Sequence, residues 1–287
     1  EIFDGAPRWE WDGNLTLDSE TAAEMTKLMF TSDDPFYYYW TTLSSHGPYN
    51  EGEINRQKFN DLGYFDLIDQ AENDGDWVNP ISTYTGDNKA ELMAQMRYYQ
   101  ATIMDFDYAL GLVMDALESQ GLLDETLFLI YGDHTAYYEK FNQIVLGNND
   151  LNEPYYEMDL YSTFAVIYNQ TLTQAYLQDH ISNEVDRFTS PYVIVPTILD
   201  LLGIAYNQNF TLGSSIFSDL EHVFYSNKLT TFFTNHLYSD NGYDIVYEKG
   251  FISDMYLEEF RVQSQIMIDK LQYINAYYQH NKEEKEN

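Results

Sequence analysis

Cysteine is absent from the 287 residues, which excludes disulfides, zinc–thiolate centres and thiol catalysis. Basic residues are scarce. Fourteen Lys and Arg stand against 47 Asp and Glu, for a formal net charge of −33. That balance supplies no stripe to neutralise phosphates, so nucleic acid is not an expected partner. No apolar run reaches the roughly 18 residues of a membrane span. The opening residues, Glu1 to Gly5, carry neither the basic nor the apolar segment of a signal peptide. The chain starts without Met and reads as a fragment or an excised domain.

What is present is a core. Hydrophobic residues make up 44% of the chain and aromatics 17%, enough to fold as one large or two modest domains despite the charge. The stretch Thr126-Leu127-Phe128-Leu129-Ile130-Tyr131-Gly132-Asp133-His134 organises the reading. A short apolar run without polar alternation reads as a buried central strand. Gly132 then permits a tight turn, and two good metal ligands follow at the strand's carboxyl end, where α/β sheets place ligands. Alone, the pair fits a capped turn as well, with Asp133 as helix N-cap and His134 on the surface.

A second stretch repeats the layout. The β-rich run Pro35–Leu43 leads into Ser44-Ser45-His46-Gly47-Pro48-Tyr49, so two strands deliver a His into a polar turn. A short helix is expected near Asp18–Phe30, capped by Asp18 or Ser19. Trp9 and Trp11 before it are expected to pack against the domain. Residues 51–88 read as an irregular surface excursion. Leu92, Met96, Tyr99, Ile103, Phe106, Leu110, Val113 and Leu117 recur at helical spacing and predict a long helix over Lys89–Ser119. Asp105 and Asp107 point to different faces of that helix and read as a solvated pair. Helix, turn and the strand from Thr126 then form half of a crossover in a mostly parallel sheet.

Further strands are expected near Ser162–Tyr168, Thr230–Phe233 and Tyr243–Tyr247. A helix begins at Pro196 and leaves at Gly203. A terminal helix over Ser253–Tyr278 carries Leu257, Phe260, Met267, Leu271, Ile274 and Tyr278 on one stripe. The expected architecture is α/β, a three-layer αβα sandwich over residues 1–217, then a small α+β subdomain over 218–280. A disordered tail over 281–287 closes the chain.

The ordered set Thr41–Tyr49, Ala116–Thr126, Leu129–His134 and Pro196–Ile204 resembles the carboxyl-terminal part of a sulfatase-type catalytic domain in the alkaline phosphatase superfamily. The branch it is most similar to is the lipoteichoic acid synthase-like phosphoglycerol transferases. The resemblance implies Asp133 and His134 as ligands of a divalent metal, Mn2+ or Mg2+, and His46 as a substrate-binding contact to phosphoglycerol. Oxygen plus imidazole ligation suits those ions.

It also implies a Thr nucleophile and a Glu metal ligand that lie upstream in the family and have no counterpart here. A formylglycine signature is absent as well. Two ligands cannot fill the roughly four to six positions of such an ion, so the chain alone is expected to be catalytically incomplete. The implied partners are a phospholipid headgroup and an anionic polymer, met by a monomeric domain. The parent would be membrane-anchored at the extracellular face of a bacterial membrane. A sulfatase, phosphodiesterase, phosphoethanolamine transferase or inactive envelope-binding domain is the alternative.

Overall fold

The computed structural model describes residues 16–32, 34–47, 49, 53–135, 139–145, 162–179, 184–185, 189–218, 222–226, 231–234, 236–239, 244–248 and 250–286. Trp9 and Trp11 lie outside them. The chain divides into two compact units, Glu1–Asp179 and His180–Asn287.

The first unit is built on a 31-residue helix. In chain order it holds α1 (Asp18–Met25), α2 (Glu53–Asp61), α3 (Tyr64–Asp74), α4 (Lys89–Ser119), β1 (Phe128–Tyr131), α5 (Glu139–Val145), β2 (Ala165–Tyr168) and α6 (Gln170–Asp179). Helix α4 has the limits its periodicity predicts, but its buried face differs in the middle. Tyr98, Ala101, Thr102, Asp105 and Ala109 are buried there, while Ile103 is exposed and Leu110 is half-buried. The reason is steric. Small side chains on α4 let α1 approach, and Ala22 and Ala109, both 0% exposed, share a cluster with Met29, Val113 and Leu117.

Residues 51–88 are not irregular. They form α2, α3 and a 3-10 turn over Pro80–Thr83. Gly63, at φ 74°, makes the left-handed joint between the two helices. Phe59, Tyr64, Phe65 and Ile68 bury against Tyr98 and Ala101. The α2 stretch conceals its fold in sequence, since Asn-Arg-Gln-Lys-Phe-Asn-Asp offers a single large apolar residue.

Strand β1 pairs antiparallel with β2, Phe128 opposite Tyr168 and Tyr131 opposite Ala165. Among the described residues this is the pairing of β1, in place of the parallel crossover expected from sequence. An antiparallel pair is common at the margin of an α/β sheet. The strand is half-buried rather than buried, because Phe128 packs on the α1–α4 cluster while Phe164 and Val166 beside it are exposed. Pro35–Leu43 takes no regular secondary structure and joins no ladder among the described residues, and Tyr37 and Tyr39 are largely exposed.

In the second unit a 3-10 turn at Pro191–Val193 leads into α7 (Ile194–Leu201). Strands β3 (Phe224–Ser226), β4 (Thr231–Phe233), β5 (Leu237–Ser239) and β6 (Ile245–Glu248) form an antiparallel sheet in sequence order. Helix α8 (Asp254–Glu286) extends past Tyr278 into the stretch expected as a tail. It packs Phe260 and Met267 against Val223, Phe232 and Leu237. Tyr192 joins that cluster, so the segment leading into α7 lies with this sheet. No described helix is long and apolar enough to cross a membrane.

Two substitutions test the close approaches. Ala109→Leu should wedge α1 from α4 and cost about 1–3 kcal/mol in chemical denaturation. A Cβ at Gly132 would meet the Cβ of Thr163 at 2.9 Å. Gly132→Ala should therefore destabilise, and the loss should shrink in the Gly132→Ala, Thr163→Gly double variant, with a coupling of about 0.5 kcal/mol or more in the cycle.

Candidate functional site

The ladder delivers the Asp-His pair. Past Tyr131, the Gly132 amide donates to the Phe164 carbonyl at 3.1 Å. The Thr163 hydroxyl donates to the Gly132 carbonyl at 2.9 Å. The chain then leaves the strand, and Asp133 and His134 stand exposed at its carboxyl end. His134 Nδ1 lies 2.8 Å from the Thr135 carbonyl. A carbonyl only accepts, so Nδ1 carries the proton and the neutral ring has its lone pair on Nε2. Nε2 in turn lies 3.7 Å from Asp133 Oδ1. The candidate ligand atoms of the pair thus lie side by side.

His46 comes to the same place from the other motif. Its ring meets that of His134 edge-on, with centroids 5.9 Å apart and planes at 90°. Its Nδ1 lies 2.6 Å from the Gly47 carbonyl. All three residues expected at the site are therefore neighbours. The run expected as the strand that carries His46 lies beside β1 without joining it. There a hydrogen bond to Tyr39, then burial and the nearby Tyr37 and Asp133, push the Tyr131 phenol up.

The His46 turn is held at both ends. The His46 amide closes it onto the Leu43 carbonyl at 3.0 Å. Beyond it, Tyr49 is 3% exposed and its ring packs on Tyr99 of α4 at 5.0 Å and Phe141 of α5 at 5.7 Å. Before it, Ser44 is 3% exposed. The Ser44 hydroxyl accepts from the Asp18 amide at 2.8 Å and donates to Asp105 Oδ2 at 3.2 Å.

Asp105 corrects the reading of a solvated pair. It is 0% exposed, while Asp107 is exposed. Asp105 Oδ1 accepts from the Ser19 hydroxyl at 2.5 Å, and Oδ2 from the Ser19 amide at 3.3 Å. Asp18 and Ser19 do not cap their own helix. Glu20 reaches back to the Leu17 amide at 2.9 Å instead, and Asp18 Oδ1 accepts from the amides of Leu43 at 2.9 Å and Ser44 at 3.4 Å. Burial pushes the Asp18 carboxyl up to about 6, against the Leu43 and Ser44 amides that favour its charge, with Asp105 raising it further. Burial, then the Asp105 charge, lift the Tyr64 phenol to about 12. Helical spacing marks Asp105 only as a position beside Thr102 and Ala109; its burial follows from the arrival of α1.

As a metal cradle the arrangement is partial. Asp133 and His134 offer one carboxylate and one imidazole, a donor set that suits a hard or borderline divalent ion. Among the described residues no group of three or more His, Asp or Glu gathers into a cage.

Comparisons with known proteins give the family. The sulfatase family profile matches residues 4–204, more than half of the 287-residue chain. The chain is 23% identical over 228 residues to the lipoteichoic acid synthase-like protein YvgJ of Bacillus subtilis, covering 78% of this chain and 31% of that relative. It is 24% identical over 202 residues to lipoteichoic acid synthase 2 of the same organism, covering 68% of this chain and 25% of that relative. The chain thus spans a third or less of the length of these relatives. On the profile match across both motifs and the elements that carry them, the chain belongs to the sulfatase family, with its α/β fold of the alkaline phosphatase type.

Proposed function

We propose that this chain is part of the catalytic domain of a metal-dependent transferase that moves phosphoglycerol from a phospholipid headgroup to a cell-envelope polymer. One observation carries the reading. Three residues from two distant motifs, His46, Asp133 and His134, meet at the carboxyl end of β1. The similarity to two proteins named for lipoteichoic acid synthesis supports the choice of substrate.

Asp133 and His134 would hold the metal, Mn2+ or Mg2+. The Thr135 carbonyl keeps the His134 proton on Nδ1, so Nε2 is the ligating atom. A bound divalent ion would supply positive charge to a phosphoryl group and lower the pKa of a coordinated hydroxyl. His46 would orient the headgroup by a hydrogen bond to a phosphate or glycerol oxygen. With Nδ1 on the Gly47 carbonyl, its Nε2 accepts from a glycerol hydroxyl when neutral and donates to phosphate when charged. The part of these three residues is binding and orientation.

The reading places the site on the extracellular face of a bacterial membrane, with the headgroup and an anionic polymer as partners. The formal charge of −33 does not oppose that, since salt confines its repulsion to about 8 Å at physiological ionic strength.

Titration calorimetry with Mn2+ should show weak binding to the wild-type chain, reduced about ten-fold or more in Asp133→Ala and in His134→Ala. The same binding should weaken on acidification, because imidazole ligates only when neutral. Equal affinity in wild type and variants would overturn the metal assignment. With Mn2+ present, sn-glycerol 3-phosphate should bind the wild type about ten-fold more tightly than His46→Gln, the loss of roughly one charge-assisted hydrogen bond. Inorganic sulfate binding as tightly would favour a sulfate-ester substrate instead.

A further inference from the structure

Asp18 and Asp105 are two acids buried side by side with no cation between them. They are 2% and 0% exposed, and among the described residues neither forms an ion pair. Their hydrogen bonding is unequal. Asp105 accepts three hydrogen bonds over both oxygens, all from Ser19 and Ser44. Asp18 accepts two on Oδ1, and its Oδ2 has no hydrogen-bond partner among the described residues. A buried carboxylate oxygen without donors favours the neutral acid, and a second carboxylate nearby favours it further.

What the pair grips is specific. The donors to Asp18 are the amides of Leu43 and Ser44, the first two residues of the turn closed by the His46 amide on Leu43. Ser44 ties the same turn to Asp105 on α4. The other ionisable groups here are Tyr64 of α3, which faces Asp105 with Asp107 and Tyr108 near it, and the Glu20–Lys58 ion pair between α1 and α2.

We propose that Asp18 and Asp105 are positioning residues for His46: with Ser44 between them they clamp the Leu43–His46 turn. Ser44 gives its amide to Asp18 and its hydroxyl to Asp105, so one residue of the turn is tied to both acids. A carboxyl raised from 3.8 to about 6 by folding contributes stability that is fully present below its ordinary value and lost as pH rises through about 6. The inference rests on His46 being the substrate contact, but its physical content needs no ligand.

The test is NMR of the whole chain with labelled backbone amides and histidine rings. In wild type the Leu43 and Ser44 amide shifts should titrate together near pH 6, and in the isosteric Asp18→Asn that inflection should vanish. The Overhauser effect between the His46 and His134 rings should be kept in Asp18→Asn, whose side-chain oxygen still accepts from both amides. Ser44→Ala, which removes the hydroxyl bond to Asp105, should lose that effect while amide dispersion in the second unit is kept.

Wild-type amides of Leu43 and Ser44 that do not titrate, or an unchanged ring-to-ring effect in Ser44→Ala, would overturn the clamp. If Ser44→Ala does not fold, the wild-type titration and Asp18→Asn decide alone. Loss of glycerol phosphate binding with the ring-to-ring behaviour as expected would overturn the substrate reading and leave the clamp standing.

Discussion

Everything at this site depends on a carboxylate in the α1–α4 interface. Asp105 sits in the middle of the longest helix of its unit, fully buried, satisfied by hydroxyl and amide donors from Ser19 and Ser44. A buried carboxyl group costs free energy unless its oxygens find donors. Two segments remote in sequence, the start of α1 and the turn before His46, therefore have one low-energy placement on α4. The neighbouring Ala22–Ala109 contact allows the approach, and the aromatic contacts of Tyr49 with Tyr99 and Phe141 hold the far end of the same loop. Helix α4 works as a bench on which the His46 turn is mounted at two points.

The partner motif is mounted differently. Asp133 and His134 take their position from strand pairing, with Gly132 pressed against Thr163 and bonded to Phe164. One half of the site is thus fixed by buried polar contacts and the other by a ladder edge. Asp133 and His134 stand exposed while the supports of the His46 turn are buried, since positional precision needs packing.

The family was legible in the residues themselves. The two His-bearing turns, the Asp-His pair and their order along the chain pointed to the family that the profile match then showed. Helix α4 was legible because its large apolar residues keep one period. Helix α2 was not, since Phe59 is the large apolar residue its described part buries, and its remaining side chains carry no pattern. The aromatic run Pro35–Leu43 has strand composition yet finds no ladder partner among the described residues. β-propensity records what fits a pleated surface, not whether a neighbour is there.

The sequence by itself determined which side chains this chain can use: no thiols, few cations, and two imidazoles and a carboxylate at the ends of apolar runs. Those are properties of side chains, and they survive unfolding. Tertiary structure alone decided that Asp105 is a buried acceptor while Asp107 is solvated, and that Asp18 holds a loop rather than capping its helix. The same folding brought His46 up to His134. Each of these needs a second segment to arrive, because burial and hydrogen-bond partnership are properties of pairs.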